Sequence, residues 1–238
     1  MQLIHLPLLR VQRELYTQPR GLPRFHEYLA RMIGGGAGFA RDGRSAKARS
    51  IGAGDLRLPL TAMNPMAKDH AARALDEWLA LGAEDVARAA IIASQRKIDD
   101  LPGKLQVALV LADDVAGGWT NRYTTDFSHR FESQGLLKRD FAVALLWASD
   151  KPREGTVFRE VQLSIGRAVW QRTRGLGRTL RDLLEQEHFA LRFAGEEVKP
   201  RPEKHLDAAD APTIFAALYG DETAISLGYP PLGIAAAL

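Results

Sequence analysis

The sequence predicts a helix-rich α+β fold, with a small α/β fold as the alternative. Two continuous apolar runs of strand length point this way, 104–112 (KLQVALVLA) and 141–147 (FAVALLW), with about seven segments that place apolar residues at helical spacing. Glycine or proline marks most of the breaks between them. A run without alternation fits a strand buried on both faces better than a surface strand.

Taken in chain order, the first helical pattern lies in Pro7 to Tyr16, with Leu8, Leu9, Val11 and Leu15. It breaks at Pro19-Arg20-Gly21-Leu22-Pro23 and resumes with Phe25, Tyr28, Leu29 and Ile33, so a helix pair joined by a Pro/Gly turn is expected. His5 sits just before it in a short apolar run and reads as a buried, hydrogen-bonded histidine. Residues 34–54 open on Gly34-Gly35-Gly36-Ala37-Gly38 and continue through Arg41, Arg44, Lys47 and Arg49 with few large apolar side chains; a flexible basic loop is expected there.

Asn64-Pro65 has the form of a helix start, and Ala71, Leu75, Trp78 and Leu79 then run to a stop at Gly82. A further helix, from Ala83 to about Lys97, turns Val86, Ala90 and Ile91 inward and ends at Leu101-Pro102-Gly103. The two strand runs follow, separated by residues 113–140. The stretch from Thr156 to Arg174 is helical, Gly175-Leu176-Gly177 interrupts it, and Leu180, Leu183, Leu184 and Leu191 mark another helix. Residues 199–212 read as a polar surface connection before a short helix from Thr213 to Tyr219 and an extended tail at Pro230-Pro231. At 238 residues the chain is expected to form one domain.

Composition narrows the function classes. There is no cysteine, which removes disulfides, zinc–thiolate sites, iron–sulfur clusters and thiol nucleophiles. The formal charge of +3 is too small to imply a nucleic-acid partner by itself. No apolar run reaches the ~20 residues of a membrane helix, and the start lacks a secretory pattern, so the expectation is a soluble, cytoplasmic protein with no membrane partner. The Gly34 to Gly38 run lacks both the closing Gly-Lys-Ser/Thr of a Walker loop and the preceding strand of a dinucleotide fingerprint.

The segment 113–132 concentrates the chemistry. Asp113 and Asp114 leave the first strand run at its carboxyl end, where α/β sheets bind ligands. Gly117-Gly118 lets the backbone approach a ligand, and Trp119, Asn121, Tyr123 and Arg130 supply flat faces and hydrogen-bonding groups as ligand-binding candidates. With Thr125 capping a helix from Asp126 to Gln134, the spacing places Asp126 and His129 on one flank. That pair suits either a base oriented by a carboxylate or a divalent metal site formed by Asp113, Asp114, Asp126 and His129. In the catalytic reading Asp126, His129 and Arg122 carry the reaction, with hydrolysis by metal-activated water as the default chemistry and a small molecule as partner. The competing account has Asp126 favouring a helix N-terminus, His129 solvated and the aromatic residues in the core.

Other pairs carry less. Glu185 and His188 have the spacing of a di-iron ligand pair but fall on the flank away from the leucines, beside Arg181 and Arg192. His26-Glu27 and Asp69-His70 read as solvated. The alternative to a small-molecule site is a non-catalytic surface for nucleic acid or an acidic partner, using the 41–49 loop and the arginine cluster at Arg167, Arg172, Arg174, Arg178 and Arg181. A third reading makes the chain an assembly subunit; oligomeric state leaves no trace in the pattern.

Overall fold

The computed structural model describes residues 1–32, 63, 65–66, 69–115, 120–132, 141–198 and 205–233. Three strands, β1 (Gln2–Leu6), β2 (Lys104–Ala112) and β3 (Phe141–Trp147), form one parallel sheet in the order β1-β2-β3. Helices α1 (Leu8–Leu15), α2 (Leu22–Met32), α3 (Asp69–Ala80) and α4 (Ala83–Gln95) lie between β1 and β2. Between β2 and β3 comes α5 (Arg122–Phe127), continued by a π-helical turn at Ser128–Glu132. After β3 follow α6 (Glu154–Arg174), α7 (Leu180–Ala194), α8 (Ala211–Tyr219) and α9 (Asp221–Ser226).

Both faces of the sheet are covered, which is why β2 and β3 read as unbroken apolar runs. On one face, Leu105, Val107, Leu109 and Leu111 of β2 and Ala142, Ala144 and Leu146 of β3 pack with Trp78, Ala87, Ala90, Val161 and Ile165 from α3, α4 and α6. On the other, Ala108, Val110, Val143, Leu145 and Trp147 pack with Leu15, Tyr28 and Met32 of α1 and α2. The alternation along each strand is the ordinary two-residue period of a pleated sheet. A separate cluster joins Phe131 to Leu180, Leu183 and Leu184 of α7 and to Ile214 and Leu218 of α8.

Local chemistry explains the boundaries. Gly82 takes a φ of 77° between α3 and α4, a conformation that favours glycine. Thr179 and Asp182 form a reciprocal capping box at the start of α7, and Gly195, at φ 84°, ends it. Gly166 lies where α6 crosses α7: a Cβ there would stand 3.0 Å from the Ala190 Cα.

Several expectations need correction. Residues 2–6 form a third strand rather than an apolar lead-in, paired with β2 from Gln2 opposite Lys104 to Leu6 opposite Ala108. Five half-exposed residues with no turn before them carry too little pattern to read as a strand. The helix expected from Asn64-Pro65 begins at Asp69. Thr125 is not a cap: Asn121 accepts from the Thr124 amide at 3.1 Å, so α5 starts four residues earlier than expected, and the following turn widens to a π-helix. α9, between the expected helix at Thr213 to Tyr219 and the tail at Pro230-Pro231, is an element the sequence pattern does not mark. The basic loop at 34–54 and the first part of the connection at 199–212 lie outside the described residues. No helix among the described residues is long and apolar enough to cross a membrane.

Candidate functional site

Among the described residues β3 is an edge strand, and the π turn after α5 reaches its far side through His129. His129 makes the connection: its Nε2 lies 2.6 Å from the Val143 carbonyl. A carbonyl can only accept, so Nε2 carries the hydrogen, and the strand's outward-facing oxygen is satisfied. The imidazole is buried, and burial first, then the positive charge of Arg167, pushes its pKa down to about 4 against the Val143 hydrogen bond. At neutral pH the ring is uncharged.

Between this segment, β3 and α6 lies a cavity of about 140 Å³. A single water needs only ~10–15 Å³. α6 turns Thr156, Glu160, Ser164 and Arg167 toward it at three- and four-residue spacing, β3 contributes Leu145 and Trp147, and Tyr219 closes it from α8. Arg122, Tyr123, Asp126, His129, Arg130 and Asp150 complete the wall.

The charges around the cavity are matched. Arg167 forks onto Glu187 with both contacts at 2.7 Å, and Arg130 reaches Glu187 at 3.1 Å and Asp126 at 2.8 Å. Burial alone would raise the Glu187 pKa, yet Arg167 and Arg130 outweigh it and hold the carboxyl at about 2. Tyr219 donates its hydroxyl to Asp126 at 3.0 Å, and its pKa is raised, chiefly by burial and then by that carboxylate. At the mouth, Arg122 lies 5.0 Å over the Trp147 ring and bonds Asp150 through both terminal nitrogens, at 2.8 and 3.1 Å. Asp114 accepts from the Ser149 amide and hydroxyl, tying the carboxyl ends of β2 and β3 together.

The chain matches no known family model, curated protein or solved structure.

Of the residues singled out by sequence, the fold brings Arg122, Tyr123, Asp126, His129 and Arg130 to one cavity. Asn121 serves as the α5 cap, and Trp119 lies outside the described residues. Asp126 and His129 share the cavity wall without bonding each other: one holds Arg130 and Tyr219, the other Val143. The four expected metal ligands do not converge. Asp113 faces His70, Asp114 faces Ser149 and Arg122, and among the described residues no group of three or more His, Asp or Glu is placed to hold a metal ion.

Sequence reasoning missed other residues. His70, expected in solvent, lies 3.0 Å from both oxygens of the buried Asp113. Glu187 and Gln171 are buried beside the site, although Glu187 falls between the two members of the rejected Glu185/His188 pair. Glu185 itself is exposed, as expected. The arginine cluster is not one face: Arg167 is buried on Glu187, Arg172 donates to the Lys104 carbonyl, and Arg174 stacks 4.0 Å over Trp170. His5, expected to be buried, is partly exposed, and its Nε2 stands 2.8 Å from a carboxylate oxygen of the buried Glu84.

Proposed function

We propose that the protein binds a small polar molecule in the cavity along the open edge of β3. The supporting observation is the concentration there of Arg122, Tyr123, Asp126, Thr156, Glu160, Ser164 and Tyr219 around a space larger than a few waters require. Three arginines and three carboxylates line the cavity, and the guanidinium groups are already paired, so the site suits a ligand of no large net charge. The adjoining π turn is a feature often found at functional sites.

Binding is favoured over general-base catalysis by His129. A base is most effective near the working pH, and an imidazole with a pKa of about 4 is a weak proton acceptor at neutrality. Its second nitrogen serves instead as a fixed hydrogen-bond acceptor.

The test is a fragment screen on the full chain followed by two-dimensional NMR. Saturable binding should shift resonances of Arg122, Tyr123, Asp126, Ser164 and Tyr219 together. Hits that cluster elsewhere, or a screen without saturable hits, would overturn the reading.

A further inference from the structure

Two arginines on the cavity wall are paired without being saturated. Arg167 spends Nε and Nη2 on the two oxygens of Glu187, and a planar guanidinium that forks in this way turns Nη1 away from its partner. Arg130 spends Nε on Asp126 and Nη1 on Glu187, which leaves Nη2. Among the described residues neither of these remaining nitrogens meets an acceptor, and neither belongs to the polar atoms that are sealed off without a partner. Both therefore keep open surface, although Arg167 is only 6% exposed. The small recess beside them is largely apolar, so that surface opens on the main cavity, which both residues line. Ser164, one turn before Arg167 and also 6% exposed, is in the same state: its hydroxyl has no partner and is not sealed off.

The opposite charge stands on the same face of α6. Glu160 precedes Ser164 by one turn, lines the cavity, and gives one oxygen to Arg159 at 2.8 Å while the other has no partner among the described residues. Burial works to lower the Arg130 pKa, and Asp126, Glu187, Tyr219 and Glu160 together raise it. Asp126 and Glu187 touch the guanidinium, but Glu160 makes no ion pair with it. Its charge is felt at Arg130 from across the cavity that both residues line.

Charge then selects the ligand. Arg130 and Arg167 balance Asp126 and Glu187, whereas Glu160 and Glu196 share Arg159, and Asp114 and Asp150 share Arg122. A lone anion would meet this surplus of carboxylates, and a lone cation the two unsaturated guanidinium groups; a molecule carrying both charges meets neither penalty. At ~1.5 Å per residue, Glu160 and Ser164 stand about 6 Å apart along the helix axis, a span that a short amino acid bridges.

Building on the cavity reading above, we propose that the ligand is a small zwitterionic amino acid, whose carboxylate accepts from Nη1 of Arg167, Nη2 of Arg130 and the Ser164 hydroxyl while its ammonium group donates to Glu160.

The test titrates the full chain with glycine, β-alanine, γ-aminobutyrate, butyrate and n-butylammonium, followed by NMR. At least one of the three amino acids should bind saturably with millimolar affinity. Butyrate and butylammonium should each bind weaker by a factor on the order of tenfold, the worth of one charge-assisted hydrogen bond. Glu160→Gln should bring the amino acid to the level of butyrate without weakening butyrate, a split that a merely structural role for Glu160 would not produce. Ser164→Ala should weaken the amino acid and butyrate together, several-fold, with an unchanged circular dichroism spectrum. Butyrate binding as tightly as the amino acids, or a folded Glu160→Gln chain that keeps its amino-acid affinity, would overturn the proposal. If no amino acid binds while fragments from the screen occupy the cavity, the zwitterion falls and the cavity reading stands; a cavity that takes no fragment removes both.

Discussion

Nε2 of His129 and the carbonyl oxygen of Val143 stand 2.6 Å apart, and this one bond fastens the π turn to the open edge of the sheet. It occupies one backbone acceptor on the side of β3 that pairs with no strand among the described residues. It also fixes the tautomer of His129, leaving Nδ1 as the nitrogen that can accept.

Acid should weaken the fold in two separable windows. Burial holds His129 near 4 in the folded chain, below its ordinary 6.5, so the unfolded chain takes up that proton first. Stability is therefore unaffected by His129 above pH ~6.5, is lost as the pH falls toward 4, and the gap corresponds to about 3 kcal/mol. Glu187 is also depressed, to about 2 from 4.5, so its contribution is lost only below pH ~4.5. Urea unfolding between pH 7.5 and 4.5 should show a slope that His129→Asn flattens; a variant retaining the parent slope would refute the assignment.

Removing the shared carboxylate should be severe. Glu187→Gln leaves Arg167 and Arg130 buried with one full partner charge fewer, and a loss of about 3–5 kcal/mol is expected. Chemical denaturation measures it directly. A loss below ~1 kcal/mol would mean that the arginines find other partners.

Gly166→Ala tests the crossing of α6 and α7. Alanine would ordinarily favour a helix by up to ~1 kcal/mol, but here its Cβ meets the Ala190 backbone at 3.0 Å and Phe193 at 3.1 Å. Net destabilisation of roughly 1–3 kcal/mol is expected, and a raised melting temperature would contradict it.

His70 and Asp113 should be coupled. Asp113 is buried and His70 partly exposed, with both carboxylate oxygens 3.0 Å from Nε2. A double-mutant cycle with alanine should give an interaction energy above ~0.5 kcal/mol; simple additivity would mean the pair is incidental.

Elements with strong periodicity were legible in the sequence. The bounds of β2 and β3 follow from apolar runs buried on both faces, and α4, α6 and α7 from glycine stops and inward stripes. β1 was not, because its burial depends on pairing with a strand about a hundred residues away. At the site, the crowding of polar groups in 113–132 drew attention to Arg122, Asp126, His129 and Arg130, yet the groups that complete their surroundings come from α6, α7 and α8. His70 read as a surface residue and Glu187 drew no attention, because nothing in the local pattern shows that Asp113 or Arg167 will be buried against them. Ion pairs between distant elements leave no periodic trace.

The most direct measurement fills the cavity without touching its charges. Thr156 stands in the first turns of α6 and lines the space, so Thr156→Trp should block the ligand and leave the sheet intact. With the best fragment from the screen, calorimetric affinity should fall at least tenfold for this variant while its circular dichroism matches the parent. Unchanged affinity in a correctly folded variant would place the ligand somewhere else and contradict the account.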